Sequence, residues 1–145
     1  TGVLPGRFET IATSKDRAQA EGAGATARRI AATWFLNRHQ AAAYENCAQI
    51  AQLSGIEAIL AGLDAMNGWS GTAYLPHIKV KTLVIWGDHD RTYPWSQTEE
   101  LWRSIEGACL AVLPGCAHAS HLEKPALFNA ILENFLTDVE NSSVK

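Results

Sequence analysis

Apolar positions follow two different rhythms along this chain, and the change comes near residue 77. Before it they recur at three- and four-residue steps, the period of a helix face. Residues 7–21 carry Phe8, Ile11 and Ala12 at that spacing, and Gly22 and Gly24 then break the pattern. Residues 25–37 predict a second helix with Ile30, Trp34 and Phe35 on one face. Residues 40–52 predict a third, through Tyr44, Cys47 and Ile50–Ala51. Ser54 is expected to cap a fourth over 55–66, with Asn67-Gly68 ending it. These apolar faces are narrow and rich in alanine, so the set is expected to lie over another surface rather than build a deep core of its own. No segment of residues 1–76 reads as a strand.

From residue 77 the pattern alternates between short β-branched runs and amphipathic helices. Residues 80–86 (VKTLVIW), bounded by Pro76 and Gly87, predict a buried strand. Residues 95–105 predict a helix facing inward through Leu101, Trp102 and Ile105, closed by Gly107. Residues 108–113 (ACLAVL) predict a second buried strand. Pro125 suits a first helical position, and residues 125–139 repeat Leu127/Phe128, Ile131/Leu132 and Phe135/Leu136. Strand–helix–strand–helix with short connections predicts an α/β fold with a parallel sheet covered by helices. Two parallel strands leave faces and edges that need cover. The second half is therefore expected to be the end of a larger α/β layer.

Composition narrows the partners. With 47% apolar and 19% charged residues among 145, the chain is globular and one domain's worth. A net charge of −3 without like-charged runs argues against nucleic acid and against a membrane surface. Cys47, Cys109 and Cys116 are odd in number and lack metal-ligand spacing, which predicts reduced thiols in the cytoplasm. No run approaches the length of a membrane helix, and none resembles a signal peptide. The first residue is Thr1, not Met, which suggests an upstream portion.

Both predicted strands run into loops that carry acid–base residues. The first continues as Gly87-Asp-His-Asp90 and the second as Pro114-Gly-Cys-Ala-His118. In open α/β sheets, ligand-binding loops gather at the carboxyl ends of strands. Asp90 and His118 are thus candidates for two members of a nucleophile–His–acid relay. Asp88 competes for the acid role, and a turn or capping role is the plainer explanation of Asp90 taken alone. His89 reads as a solvated loop residue. His118 and His121 have His-x-x-His spacing in a loop, which lacks the geometry of helical zinc sites, so no metal is expected.

These residues resemble the C-terminal end of the α/β-hydrolase superfamily. The likeness runs from Ile78 to Leu136, through Gly87-x-x-Asp90, Pro94, Leu113-Pro-Gly-Cys-Ala-His118, His121-Leu-Glu123, Pro125, Phe128 and Asn134-Phe-Leu136. Ala117 departs from the glycine common before the family's histidine. The resemblance implies that Asp90 is the triad acid and His118 the triad histidine, with Glu123 and Pro125 setting the loop and starting the last helix. Residues 1–76 then resemble the family's helical lid (cap), and 77–145 the C-terminal part of its core. Trp34, Trp69 and Ala119 are the residues expected to meet a small-molecule substrate. Arg28-Arg29 beside Trp34-Phe35 resembles lids of enol-lactonase-like members, although surface arginines beside core aromatics are the commoner explanation.

The family's nucleophile sits in Gly-x-Ser-x-Gly between a strand and a helix. That motif does not occur here, and Gly68-Trp-Ser-Gly71 has the wrong spacing and follows a helix. Cys47 and Cys116 lack the strand–turn–helix setting too. The expectation is therefore a lid plus the last two strand–helix units, partnered by the nucleophile half of the same fold and inactive alone. No cofactor is implied. The parent is expected to be a serine hydrolase acting on an ester, lactone or activated C–C bond. The alternatives are an Asp-nucleophile haloalkane dehalogenase or epoxide hydrolase, and a non-catalytic binding member. An exposed strand edge would also favour homo-oligomers or aggregation.

Overall fold

A computed structural model describes residue 2 and residues 9–143, with side chains through residue 139; Phe8 lies outside the described residues. Four helices come first: α1 (Ile11–Glu21), α2 (Ala23–Thr33), α3 (Tyr44–Ala51) and α4 (Ile56–Met66). A 3-10 turn over Thr72–His77 leads to β1 (Leu83–Gly87), α5 (Trp95–Ser104), β2 (Cys109–Leu113), α6 (Ser120–Glu123) and α7 (Pro125–Ser143).

Local chemistry explains most of these boundaries. Thr10 caps α1 by accepting from the Thr13 N–H at 3.1 Å. Gly22, at φ 79°, both ends α1 and opens α2. Gly24, expected to break the pattern as well, lies inside α2. Ser54 does not cap α4; Gly55 holds that position, with no side-chain hydrogen bond. Gly68, at φ 75°, follows the end of α4 as the Asn67-Gly68 pair predicts. Pro125 occupies the first position of α7.

Helix α2 ends at Thr33, not at residue 37, for a reason outside itself. The Trp34 carbonyl accepts from the Ala119 N–H at 2.8 Å, and the Leu36 N–H donates to Glu123 Oε1 at 2.8 Å. Partners in the other half of the chain claim the backbone groups that would have continued the helix. A 3-10 turn over Arg38–Gln40 follows, so α3 starts at Tyr44 rather than at residue 40.

Strands β1 and β2 pair in parallel, from Leu83 opposite Cys109 to Gly87 opposite Leu113. Helix α5 forms the crossover between them and packs on β1, while α7 packs on β2. The Trp86 ring meets Trp95 at 5.2 Å, and its indole N–H donates to the Tyr93 carbonyl at 2.9 Å. Val84, Ile105, Leu113 and Cys116 are buried around the sheet. Strand β1 is shorter than expected, because exposed Val80 and Lys81 precede it without joining the ladder. Among the described residues the sheet has two strands, and Val112 on β2 is 46% exposed.

The helical half encloses a small core that a residue of the other half completes. Ala31, Ala32, Phe35, Tyr44 and Ala48 are buried together between α2 and α3, with Ala119 of the other half completing the cluster. The alanines let the two helices approach closely. Phe35 fills the space with its ring edge-on to Tyr44, 6.4 Å between centroids.

Candidate active site

Past the last paired residues, Gly87 and Leu113, backbone hydrogen bonds go on joining the two loops. The Asp88 N–H donates to the Leu113 carbonyl at 3.1 Å and the His89 N–H to the Cys116 carbonyl at 3.0 Å. This close approach needs a glycine at position 87. A Cβ there would strike the Ala117 carbonyl oxygen and stand 2.7 Å from that of Cys116. Asp88 braces the same junction, its Oδ1 accepting from the Gly115 N–H at 2.7 Å.

The Asp90 side chain is only 6% exposed and divides its oxygens between two tasks. Oδ1 accepts from the N–H groups of Thr92 (2.7 Å) and Tyr93 (3.1 Å), which closes the loop as an Asx turn. Oδ2 lies 2.9 Å from Nδ1 of His118. A carboxylate only accepts, so Nδ1 carries the proton and Nε2 presents its lone pair. Nε2 makes no hydrogen bond among the described residues, and the His118 side chain is 36% exposed. Its ring is flanked by Tyr93 at 5.2 Å and Trp34 at 6.4 Å. Asp90 thus makes the turn and the contact with His118 at once. Asp88, the competing acid, is turned toward Gly115 and His89.

Of the three residues expected to meet substrate, Trp34 is the one whose side chain has a ring contact with His118. Ala119 is buried in the helical core, and its N–H holds the Trp34 carbonyl. Trp69 follows α4 and is 62% exposed, with no ring contact to His118. Arg28 pairs bidentately with Glu45 at 3.0 and 2.7 Å, and Arg29 with Glu21 at 2.9 Å, so both brace helices. His121 packs on Phe128, 5.8 Å between rings. Among the described residues no three metal-ligating side chains gather.

Cys116 is fully buried, and burial pushes its thiol up, with Glu123 and Asp88 adding to the effect. Such a thiol is a poor nucleophile. Cys47 lines an apolar cleft of about 260 Å³ with Trp34, Ile50 and Leu122. Sequence reasoning missed Tyr93 as a neighbour of His118; its place three residues beyond Asp90 was the available signal. It assigned Glu123 to the loop, and its carboxylate does accept from the Ala117 N–H at 2.7 Å. The second bond, to Leu36, left no trace in the pattern.

No protein-family model matches the chain. It is 36% identical over 73 residues to a 2-hydroxy-6-oxo-6-phenylhexa-2,4-dienoate hydrolase of Delftia acidovorans, a match covering 50% of this chain and 26% of that protein. It superposes on the enol-lactonase of Burkholderia xenovorans with a TM-score of 0.78 at 26% identity, covering 87% of this chain and 49% of the other. An esterase of Exiguobacterium antarcticum shares the fold at 16% identity, with a TM-score of 0.79 over 88% of this chain and 47% of its own. The chain thus spans about half the length of these solved structures, and the match about a quarter of the curated relative. It shares the α/β-hydrolase fold over most of its length.

Proposed function

We propose that this chain supplies the histidine and the acid of a Ser-His-Asp relay that cleaves an ester, lactone or related bond of a small, largely apolar substrate. The observation that carries this reading is the 2.9 Å contact between His118 Nδ1 and a carboxylate oxygen of a buried aspartate already oriented by two backbone N–H groups. Held in that way, the imidazole presents Nε2 to a nucleophile. Nε2 takes the proton of a serine hydroxyl as its oxygen attacks the carbonyl carbon. The proton then passes to the leaving group as the C–O or C–C bond breaks. A water, deprotonated by the same nitrogen, releases the acyl group, and Asp90 stabilises the transient imidazolium throughout. The names of the relatives, a dienoate hydrolase and an enol-lactonase, favour such bonds.

The serine and the oxyanion donors come, on this reading, from a further portion of the same fold, so the 145 residues alone turn over nothing. Three unpaired cysteines fit a reducing cytoplasm. The test incubates the chain, alone and joined to the residues encoded upstream of it, with a fluorophosphonate probe and a nitrophenyl ester. Labelling of an upstream serine, with turnover lost in His118→Ala, is the expected result. Labelling of a residue within the chain, or full turnover in His118→Ala, would sink the reading. An upstream aspartate trapped as an ester would move the protein to the dehalogenase or epoxide-hydrolase chemistry.

A further inference from the structure

Two hydrogen bonds join the turn after α2 to the segment that carries His118, and a third, inside that segment, shares a carboxylate with one of them. Glu123 Oε1 accepts from the Leu36 N–H at 2.8 Å and Oε2 from the Ala117 N–H at 2.7 Å. Ala119 N–H donates to the Trp34 carbonyl at 2.8 Å. Glu123 ends the single-turn helix α6, which folds the chain back so that its side chain reaches the residue just before His118. Leu36 lies 87 residues away in sequence, at the exit of the segment that carries Trp34.

We propose that Glu123 is a positioning residue: its two-ended carboxylate locks the Trp34 turn against the His118 loop, and so sets the wall beside the histidine. A residue serving only its own loop would need the Ala117 bond and not the one to Leu36. Both bonds are charge-assisted and run to backbone donors, which have no rotamers with which to escape. The side-chain type is demanded by the geometry. A carboxamide has one accepting atom, so glutamine would turn an NH2 group against one of the two N–H donors. Aspartate keeps the charge and is one methylene too short to span both.

The inference rests on the proposed role of His118, yet it is read without turnover. In the chain as it stands, Trp34 is expected to add to the ring-current shift that Tyr93 places on the His118 ring protons, visible by NMR, and the Leu36 and Ala117 amides to be protected from hydrogen exchange. In Glu123→Gln the amide that meets the NH2 group is expected to exchange about tenfold faster or more. Trp34's share of the ring-current shift is lost with that bond, while amides in α1 and α4 keep their protection. Unchanged His118 ring shifts in the variant would overturn the proposal, and so would unchanged exchange at both amides. Should Glu123→Gln not fold, Glu123→Asp is read in the same way: a retained ring-current shift overturns the coupling, and a lost one supports it. A protein in which the lock is real but His118→Ala retains turnover would fail as a relay and keep this inference.

Discussion

Asp90 shows how one carboxylate closes a loop and holds an imidazole without conflict, because each oxygen has its own partner. Asparagine tests the separation. In Asp90→Asn the amide oxygen still accepts from Thr92 and Tyr93, while the NH2 group faces His118 Nδ1 and selects the wrong tautomer. Unfolding by urea is expected to move by less than about 1 kcal/mol, with kcat of the extended protein falling about 10⁴-fold. Asp90→Ala loses both tasks and is expected to cost a further 1–2 kcal/mol or so. A neighbouring test is Gly87→Ala. Its Cβ meets two backbone carbonyls that have nowhere to move, so a loss of about 1–3 kcal/mol in urea unfolding is expected. The His118–Asp90 contact should loosen with it.

The helices owe their stability to a few contacts. Phe35 is the largest fully buried side chain, set between α2, α3 and the loop residue Ala119. Phe35→Ala is expected to cost about 3–5 kcal/mol, because neighbouring alanines cannot collapse into the space. Circular dichroism at rising temperature should show the helical signal melting first. Ion pairs between helices add a dependence on pH. Arg17 and Arg29 hydrogen-bond Glu21, Arg28 hydrogen-bonds Glu45, and both carboxyls are held below their ordinary value of 4.5. The folded state therefore favours the charged forms. The contribution is complete above about pH 4.5 and is lost as pH falls through the lower folded values. Urea midpoints taken from pH 7 to pH 3 should decline over that interval, and Glu45→Gln should flatten part of the decline. Both pairs are exposed, so salt should weaken the effect.

Across the whole molecule, apolar surface is distributed unevenly. Ile50, Leu53, Trp69, Tyr74, Val80 and Val112 are exposed, and each strand has an edge without a strand partner among the described residues. Such surface favours association. Light scattering coupled to gel filtration is expected to give a mass that rises with concentration. A compact monomer at all concentrations would show that these positions are tolerated in water.

Periodicity alone located both strands, their parallel pairing through a helix, the long last helix and the two loops with Asp90 and His118, because period and punctuation are local properties of a chain. The four N-terminal helices were readable for the same reason, although the end of α2 and the start of α3 were not. Trp34 and Leu36 leave the helix to satisfy groups contributed from residues 119 and 123, and no local pattern encodes that demand. Nor could spacing choose between Asp88 and Asp90, which carry the same side chain two residues apart. The choice follows from which oxygen finds the Gly115 N–H and which finds an imidazole, a matter of how two loops pack after the strands have paired. Trp69 illustrates the converse: an aromatic residue beside a turn has no fixed destination until its neighbours are in place, and here it faces outward.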